Sequence, residues 1–369
     1  MVQQDLEILQ KPSGDLKREI IHRLWHQSKT VIELSDYAEY FDYHWQSCQN
    51  MRLGALSKAD ILAARTHGEI LNIIDALWSF QDSEFQVTRV TLRTVLKQKH
   101  FQEDSDERIN VSIHLALRLW LTLNIRDSSP ASTNRGVVWN DVSYLSTFVS
   151  EQFQGPTSDE PRAKVSLGSD MTAVQLRKIN GIAIEWISNI RDHLYYNNDR
   201  RILKVYNLEH VLQAHSRSEV KIIPEQVINE TLLTLHMLFP RWDPRTTKYL
   251  KKIGRCPFPD VYVKVPPQWH LTDFYYWQDR LEILLSASQA PPAALRNTLP
   301  TLRLLWNDRR NPHQWWTFWF AASILLLTVV FGLITSVATC LQTRYTYQSL
   351  QLTRESLQLA RDAGKSPAA

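Results

Sequence analysis

The sequence predicts a mainly α protein, in which a helical cytosolic domain is followed by one C-terminal transmembrane helix. The strongest observation is the segment at 315–341, WWTFWFAASILLLTVVFGLITSVATCL, which contains no charged residue. Its roughly 27 residues form a helix about 40 Å long, enough to cross a hydrocarbon core of about 30 Å with some tilt. Two further observations are the helical spacing of apolar residues through the N-terminal half and the near absence of strand-like patterns.

Aromatic residues flank the uncharged segment at both ends. Trp315, Trp316 and Trp319 lie at its N-terminal end, and Tyr345 and Tyr347 follow its C-terminal end. Amphipathic rings are enriched in the headgroup zone of membranes. We therefore predict that these five residues lie at the two membrane interfaces and that the lipid bilayer is the first partner of this chain.

Basic residues around the segment give a small orientation signal. Arg303, Arg309 and Arg310 precede it closely, against Arg344 and Arg354 after it. Cytoplasmic flanks carry the excess of Lys and Arg, and the N-terminal residues lack the basic-then-apolar pattern of a signal peptide. We expect a single-pass membrane protein with its N-terminal domain in the cytosol. The organelle is not indicated by the sequence.

Composition and turn residues predict five regions. Hydrophobic residues make up 44% and charged residues 22%, as in ordinary folded proteins. Loops rich in Ser, Pro, Asn and Gly break the helical pattern after residue 126 and again after residue 153. The predicted regions are an N-terminal helical region (1–126), a second helical region with irregular loops (127–287), a linker (288–313), the transmembrane helix (314–342) and a short tail (343–369).

Apolar spacing predicts the individual elements. The predicted helices are 15–28, 57–77, 112–125, 171–194, 224–238 and 273–285, and the one predicted strand is 201–206. The helix at 112–125 is strongly apolar but too short to span a bilayer, so we expect it to be a buried core helix.

Six segments together resemble a family of filamentous-fungal helical proteins with a single C-terminal transmembrane helix. They are VSIHLALRLWLTLNIR, VWNDVSYLSTFVSEQF, INGIAIEWISNIRDHL, LHMLFP, FYYWQDRLEIL and WNDRRNPHQWWTFWFA. The resemblance covers roughly residues 85–347, and its most specific marker is the Asp-Arg-Arg-Asn sequence before the Trp-rich segment. It implies the architecture and a fungal origin, and it carries no activity to transfer. This chain departs from the family in its tail, which runs further past the span.

The sequence contains no recognised catalytic motif. Its ten glycines are isolated from one another, so it has neither a P-loop nor a dinucleotide-binding fingerprint. We therefore predict no catalytic residue and no cofactor. The best polar set is Glu185, Asn189, Asp192 and His193, which would share one face of the predicted helix and place carboxylates beside an imidazole. A structural polar stripe is the favoured interpretation, and a membrane-tethered enzyme using this face is the alternative.

Histidines and cysteines do not predict a metal site. His22 and His26 lie one helical turn apart, but no third ligand is evident, so we expect them on a helix surface. Cys48, Cys256 and Cys340 are odd in number and far apart, which argues against a disulfide framework and against a zinc site.

A basic run at 241–255 is a candidate lipid-binding site. The residues predicted to contact anionic lipid are Arg245, Lys248, Lys251, Lys252 and Arg255. Each basic residue near an anionic surface contributes about 1 kcal/mol. A plain solvated loop is the favoured interpretation of this run, and contact with anionic lipid is the alternative. Nucleic-acid binding is disfavoured because the net charge is only +4 and the chain is tethered.

The span and the tail each carry a repeated pattern. Thr328, Gly332, Ser336 and Cys340 recur every four residues, and small residues let a second helix approach closely, which predicts a homodimer through the transmembrane helix. Small residues that simply face lipid are the favoured interpretation, and the homodimer is the alternative. The tail repeats SLQLTRE as SLQLARD, and we expect a helical extension with weak self-association. In all, the sequence predicts a non-enzymatic module that binds an unidentified protein partner or the membrane surface.

Overall fold

The computed structural model describes residues 7–8, 10–28, 32–53, 61–126, 136–156, 164–168, 171–255, 268–289 and 312–363. The chain divides into two compact units, Met1–Ala293 and Ala294–Ala369. Most of the predicted linker lies outside the described residues.

Helices make up most of the described part of the first unit. The α-helices are α1 (Gly14–Trp25), α2 (Ala38–Leu53), α3 (His67–Trp78), α4 (Arg89–Lys99), α5 (Asp106–Leu121), α6 (Leu145–Ser150), α7 (Ala173–Lys178), α8 (Glu209–Arg217), α9 (Glu225–Leu238), α10 (Pro244–Lys252) and α11 (Gln278–Gln289). Short 3₁₀ helices are formed by Leu34–Tyr37, Gln81–Ser83, Ile190–Asp192 and Leu271–Asp273.

Short strands form three small sheets between these helices. The strands are β1 (Ile125–Arg126), β2 (Val137–Val138), β3 (Ser166–Leu167), β4 (Ala183–Ile187), β5 (Tyr196–Asn197), β6 (Ile202–Tyr206) and β7 (Trp269–His270). β1 pairs with β2 in parallel, β3 pairs with β7 antiparallel, and the third sheet has the order β4-β6-β5. The predicted strand at 201–206 is confirmed as β6.

Helix α5 lies at the centre of the N-terminal core and packs against α2, α3 and α4. The hydroxyl of Ser105 caps its start by accepting from the Arg108 N–H at 3.4 Å, and Thr122 ends it in the left-handed region at φ 52°. The Trp120 ring lies 5.3 Å from Trp78 and 5.5 Å from Phe85. The prediction of a buried core helix is confirmed, although the helix begins earlier and ends before Ile125.

Helix α3 begins later than the sequence predicts. Thr66 and Glu69 form a capping box, in which the Thr66 hydroxyl accepts from the Glu69 N–H at 3.2 Å and the Glu69 carboxylate accepts from the Thr66 N–H at 2.9 Å. This reciprocal cap satisfies backbone donors that would otherwise have no intrahelical acceptor. Residues 61–66 are not helical, and 54–60 lie outside the described residues. The predicted continuous helix through 61–66 is therefore wrong, and its predicted start at residue 57 lies outside the described residues.

The two predicted helical regions of the first unit share one hydrophobic core. The His215 Nε2 atom lies 3.0 Å from the Trp25 indole nitrogen and 3.0 Å from the Trp120 carbonyl oxygen. One ring nitrogen either donates or accepts, so only one of these contacts is a hydrogen bond in a given tautomer. Burial lowers the pKa of His215 to about 4, so the ring is neutral at physiological pH.

The predicted helix at 171–194 is wrong. Helix α7 ends at Lys178, and Gly181 then adopts φ +66°, a conformation that suits glycine and interrupts the helix. β4 follows and pairs in parallel with β6, from Ala183 opposite Ile202 to Ile187 opposite Tyr206. The alternation of GIAIEWI has period two, and this strand pattern prevails over the longer helical one.

The later helices are close to the prediction. The predicted helix at 224–238 is confirmed as α9, whereas the helix predicted at 273–285 begins only at Gln278. The carboxylate of Glu230, buried on α9, accepts from the backbone N–H groups of Tyr275 at 2.8 Å, Tyr276 at 2.8 Å and Trp277 at 3.3 Å. Glu230 thus holds the segment that leads into α11.

The second unit contains one described helix, α12 (Pro312–Ala363), of 52 residues. Its part from Trp316 to Arg361 is long and apolar enough to cross a membrane, by length and composition, and none of its most apolar stretch is buried. The predicted transmembrane segment lies within α12, and the tail continues the same helix as far as Ala363. The mainly α fold class with one such C-terminal helix is confirmed.

We expect Glu230→Gln to destabilise residues 1–293 by about 2 kcal/mol, because an amide cannot accept from all the backbone donors that meet the carboxylate. Urea unfolding of this unit measures the change, with the solvent-exposed Glu103→Gln as the matched control. Equal stabilities of the two variants would show that Glu230 does not hold the segment before α11.

Candidate functional site

The aromatic residues of α12 are spaced for two membrane interfaces. Trp316, Tyr345 and Tyr347 are exposed, and Trp319 is half-buried. At 1.5 Å per residue, Trp316 and Tyr345 lie about 44 Å apart along the axis, close to the full thickness of a bilayer with its headgroups. The side chain of Trp315 lies outside the described residues.

The C-terminal half of the apolar segment carries a shallow groove. Its lining residues are Gly332, Thr335, Ser336, Thr339, Cys340, Thr343, Arg344 and Tyr347. Three of the predicted helix-packing residues lie in this groove, and Thr328 lies before it. The Thr335 and Thr339 hydroxyls donate to backbone carbonyls four residues earlier, at 2.8 Å each. Their hydroxyl donors are therefore used within the helix, and apart from Arg344 and Tyr347 the lining side chains are small.

Helix α10 presents most of the predicted lipid-binding cations on one exposed surface. The Asp243 side chain caps its start by accepting from the Arg245 and Thr246 N–H groups at 3.0 and 3.2 Å. Thr246 and Leu250 face the core. This orientation leaves the predicted cations of the helix exposed: Arg245, Lys248, Lys251 and Lys252. Trp242, just before the helix, is 72% exposed. The predicted loop is thus a short amphipathic helix with a cationic face.

Arg255 differs from the other four cations. It follows α10, is half-buried, and its guanidinium carbon lies 4.1 Å from the centroid of the Trp186 ring. Burial lowers the pKa of Arg255, while the carboxylates of Glu39 and Glu209 act in the opposite direction. This residue takes part in the packing of the unit and is not on the cationic face.

The four polar residues predicted on one helical face are dispersed. Glu185 is exposed in β4, Asp192 ends a 3₁₀ helix, and His193 is fully buried. The Asn189 side-chain amide donates to Asp192 at 3.0 Å. Because β4 replaces the predicted helix, the face that would have placed carboxylates beside an imidazole does not form.

His193 is instead part of a buried hydrogen-bond network. Its Nδ1 accepts from the Tyr206 N–H at 3.1 Å, which places the proton on Nε2, and Nε2 donates to the Thr234 hydroxyl at 2.7 Å. The Trp277 ring contacts the imidazole edge-to-face at 5.3 Å. Burial lowers the pKa of His193 to about 3, so the ring stays neutral and acts as a structural bridge.

A charged cluster beyond β6 was not predicted from the sequence. Glu209 begins α8, and its Oε1 lies 3.3 Å from His210 Nδ1, while His210 Nε2 lies 3.9 Å from Asp36. Burial raises the pKa of Glu209 to about 8, and the nearby carboxylates of Glu39 and Asp36 add to the rise. Strongly shifted groups of this kind mark candidate sites, although structural clusters produce the same signature.

His22, His26 and Cys48 take part in the packing of the first unit. His22 Nδ1 contacts the Gln27 carbonyl oxygen at 2.7 Å, and His26, just past the end of α1, packs on the Trp78 ring at 4.1 Å. Burial raises the pKa of the Cys48 thiol to about 12, so it carries no thiolate at neutral pH. Among the described residues, no group of three or more His, Cys, Asp and Glu side chains is placed to hold a metal ion. Cys256 lies outside them.

The fold and these surfaces define a mainly α protein with one helix suited by length and composition to a membrane anchor. The chain matches no known family model, and no curated protein or solved structure shows significant similarity to it. The resemblance to fungal membrane proteins therefore stays a prediction.

We expect Glu209→Gln to change how the stability of residues 1–293 depends on pH. The folded pKa of Glu209, about 8, lies above the ordinary value of 4.5, so its contribution is fully present below pH 4.5 and is lost as pH rises through 8. Glutamine cannot ionise, so the variant should gain about 5 kcal/mol relative to wild type between pH 4.5 and 9, at about 1.4 kcal/mol for each unit of pKa difference. Urea unfolding across this range measures the gain.

The matched control for this prediction is Glu151→Gln, at an exposed carboxylate after α6. Parallel stability curves for wild type and Glu209→Gln would contradict the buried, protonated state of Glu209.

Proposed function

We propose that this chain is a single-pass membrane-anchored protein whose N-terminal unit faces the cytosol and binds the surface of an anionic membrane through α10. The observation that carries the proposal is α12, an apolar helix of membrane-spanning length whose side chains are exposed and whose aromatic ends are about 44 Å apart. An exposed apolar helix of this length is stable in lipid and unfavourable in water.

The cationic face of α10 supports binding at the membrane surface. Its four exposed cations would contribute about 1 kcal/mol each beside anionic headgroups, or about 4 kcal/mol together. The exposed Trp242 ring adds an interfacial anchor next to this charge. A membrane anchor on the same chain raises the local concentration of this face at the bilayer, so modest contacts suffice.

This assignment favours the membrane surface over the unidentified protein partner, since α10 combines exposed cations with an exposed aromatic ring. The alternative of a membrane-tethered enzyme using Glu185, Asp192 and His193 has lost its structural basis, because β4 replaces the helix and His193 is sealed in the core.

We expect anionic lipid to protect the α10 lysines from amine-reactive labelling. The full chain is reconstituted in nanodiscs of phosphatidylcholine with or without phosphatidylserine, and labelling of each lysine is measured by mass spectrometry. Lys251 should be labelled about three- to tenfold less with phosphatidylserine, and this protection should be lost at high salt because exposed ionic contacts are screened.

Two variants sharpen the experiment. Lys248→Glu combined with Lys252→Glu should abolish the protection of Lys251, whereas Lys99→Glu on the exposed surface of α4 should leave it unchanged. Equal labelling of Lys251 in both lipid compositions would contradict a role for α10 at the membrane surface.

A further inference from the structure

We propose that α12 pairs with α12 of a second copy of this chain, in parallel, along one continuous seam that runs from the apolar segment into the tail. The seam consists of positions that follow one another by alternating steps of four and three residues. These positions are 318, 322, 325, 329, 332, 336, 339, 343, 346, 350, 353, 357 and 360. This pairing goes beyond the proposed binding at the membrane surface. It rests on the insertion of α12 into a bilayer and does not depend on the cationic face of α10.

The tail defines the register of the seam. The duplicated SLQLTRE and SLQLARD place Leu350 and Leu357 seven residues apart, and these side chains are 56% and 66% exposed. Leucines at this spacing occupy the same position of successive heptads. Leu352 and Leu359 are similarly exposed but lie on nearly the opposite side of the helix.

The same register continues into the apolar segment. Stepping back from Leu350 by four and three residues in turn first reaches Thr346, which is outside the groove. The next four positions are Thr343, Thr339, Ser336 and Gly332, and all four line the groove. The leucine repeat and the small-residue groove are separate features of the sequence, yet they fall on one seam. Thr328 and Cys340, two of the four residues of the predicted stripe, flank this seam instead of forming it.

The helix and its charges suit a long seam. α12 is continuous across it, and its charged residues at 344, 354, 355, 361 and 362 all lie off the seam positions. A heptad pattern drifts by about 20° per repeat on a straight α-helix, so two copies that keep this seam in contact over its length would wind around each other as a left-handed supercoil.

The charge pattern and the membrane identify the partner as a parallel copy of this chain. Arg354 and Arg361 occupy the positions that flank the seam on one side, and Ser349 and Ser356 flank it on the other. In a parallel pair each side meets the opposite one, so Arg meets Ser, whereas an antiparallel pair would place Arg against Arg. Two copies inserted with the same topology and depth align each seam residue with its own equivalent.

Cysteine cross-linking in membranes tests this pairing. In a Cys340→Ser background, the single variants Leu350→Cys and Leu357→Cys should form disulfide-linked dimers about tenfold faster than Leu352→Cys and Leu359→Cys. Leu350 and Leu352 are similar in exposure and lie two residues apart, and the same holds for Leu357 and Leu359. Collision rates and oxidant access are therefore equal within each compared pair. The comparison uses membranes that retain the chain after alkaline carbonate extraction, which separates a failure to pair from a failure to insert.

A second substitution tests whether the seam is continuous. Gly332→Leu should slow cross-linking at position 350 by about tenfold, and Ala338→Leu, off the seam, should not. A Cβ at Gly332 meets no heavy atom within 4 Å in the isolated helix, so the substitution affects only a second helix. Equal cross-linking at 350 and 352, or insensitivity of position 350 to Gly332→Leu, would overturn the proposal.

Discussion

The constraint on which this protein depends is the need of α12 for an apolar surrounding. The segment 315–341 carries thirteen Leu, Ile, Phe and Val side chains. At about 0.3–0.6 kcal/mol each, they favour insertion into a bilayer by about 4–8 kcal/mol. No part of the most apolar stretch is covered by the described chain. Lipid, or lipid together with another helix, is the environment that satisfies this surface.

The first unit is stabilised differently, by a hydrophobic core that contains hydrogen-bonded polar side chains. Two of its buried polar side chains are hydrogen-bonded inside the unit: Glu230 accepts several backbone N–H groups, and His193 connects the backbone of β6 to Thr234 on α9. Burial keeps the His193 ring neutral. Buried and hydrogen-bonded polar side chains of this kind fix the packing of α9 against its neighbours. The exposed cations of α10 and the seam of α12 are the surfaces for which we propose binding.

The sequence predicts the long apolar helix α12 well because its signal is local. Length, lack of charge and flanking aromatic residues are all read from one segment, and the same holds for the amphipathic α9. The prediction of a helix at 171–194 fails because helical and strand patterns compete in this segment. Its strand conformation depends on pairing with β6, which lies later in the chain. The sequence signals that could have indicated a strand were the glycine at position 181, which adopts a positive φ, and the alternation of GIAIEWI.

The cluster around Glu209 shows a second limit of sequence reasoning. Asp36 and His210 are distant in the chain and meet only because the 3₁₀ helix Leu34–Tyr37 packs against α8. The raised pKa of Glu209 comes from burial, a property of the folded chain and not of the residue type. Likewise, no sequence pattern separates Arg255, which stacks on Trp186, from the cations exposed on α10.

The most direct test of this account is alkaline carbonate extraction of membranes that carry the full chain with a C-terminal glycosylation reporter. A chain that stays with the membrane and acquires the glycan would show that α12 spans the bilayer, with the N-terminal unit in the cytosol. Extraction of the chain into the soluble fraction would contradict the membrane anchor and every role that follows from it.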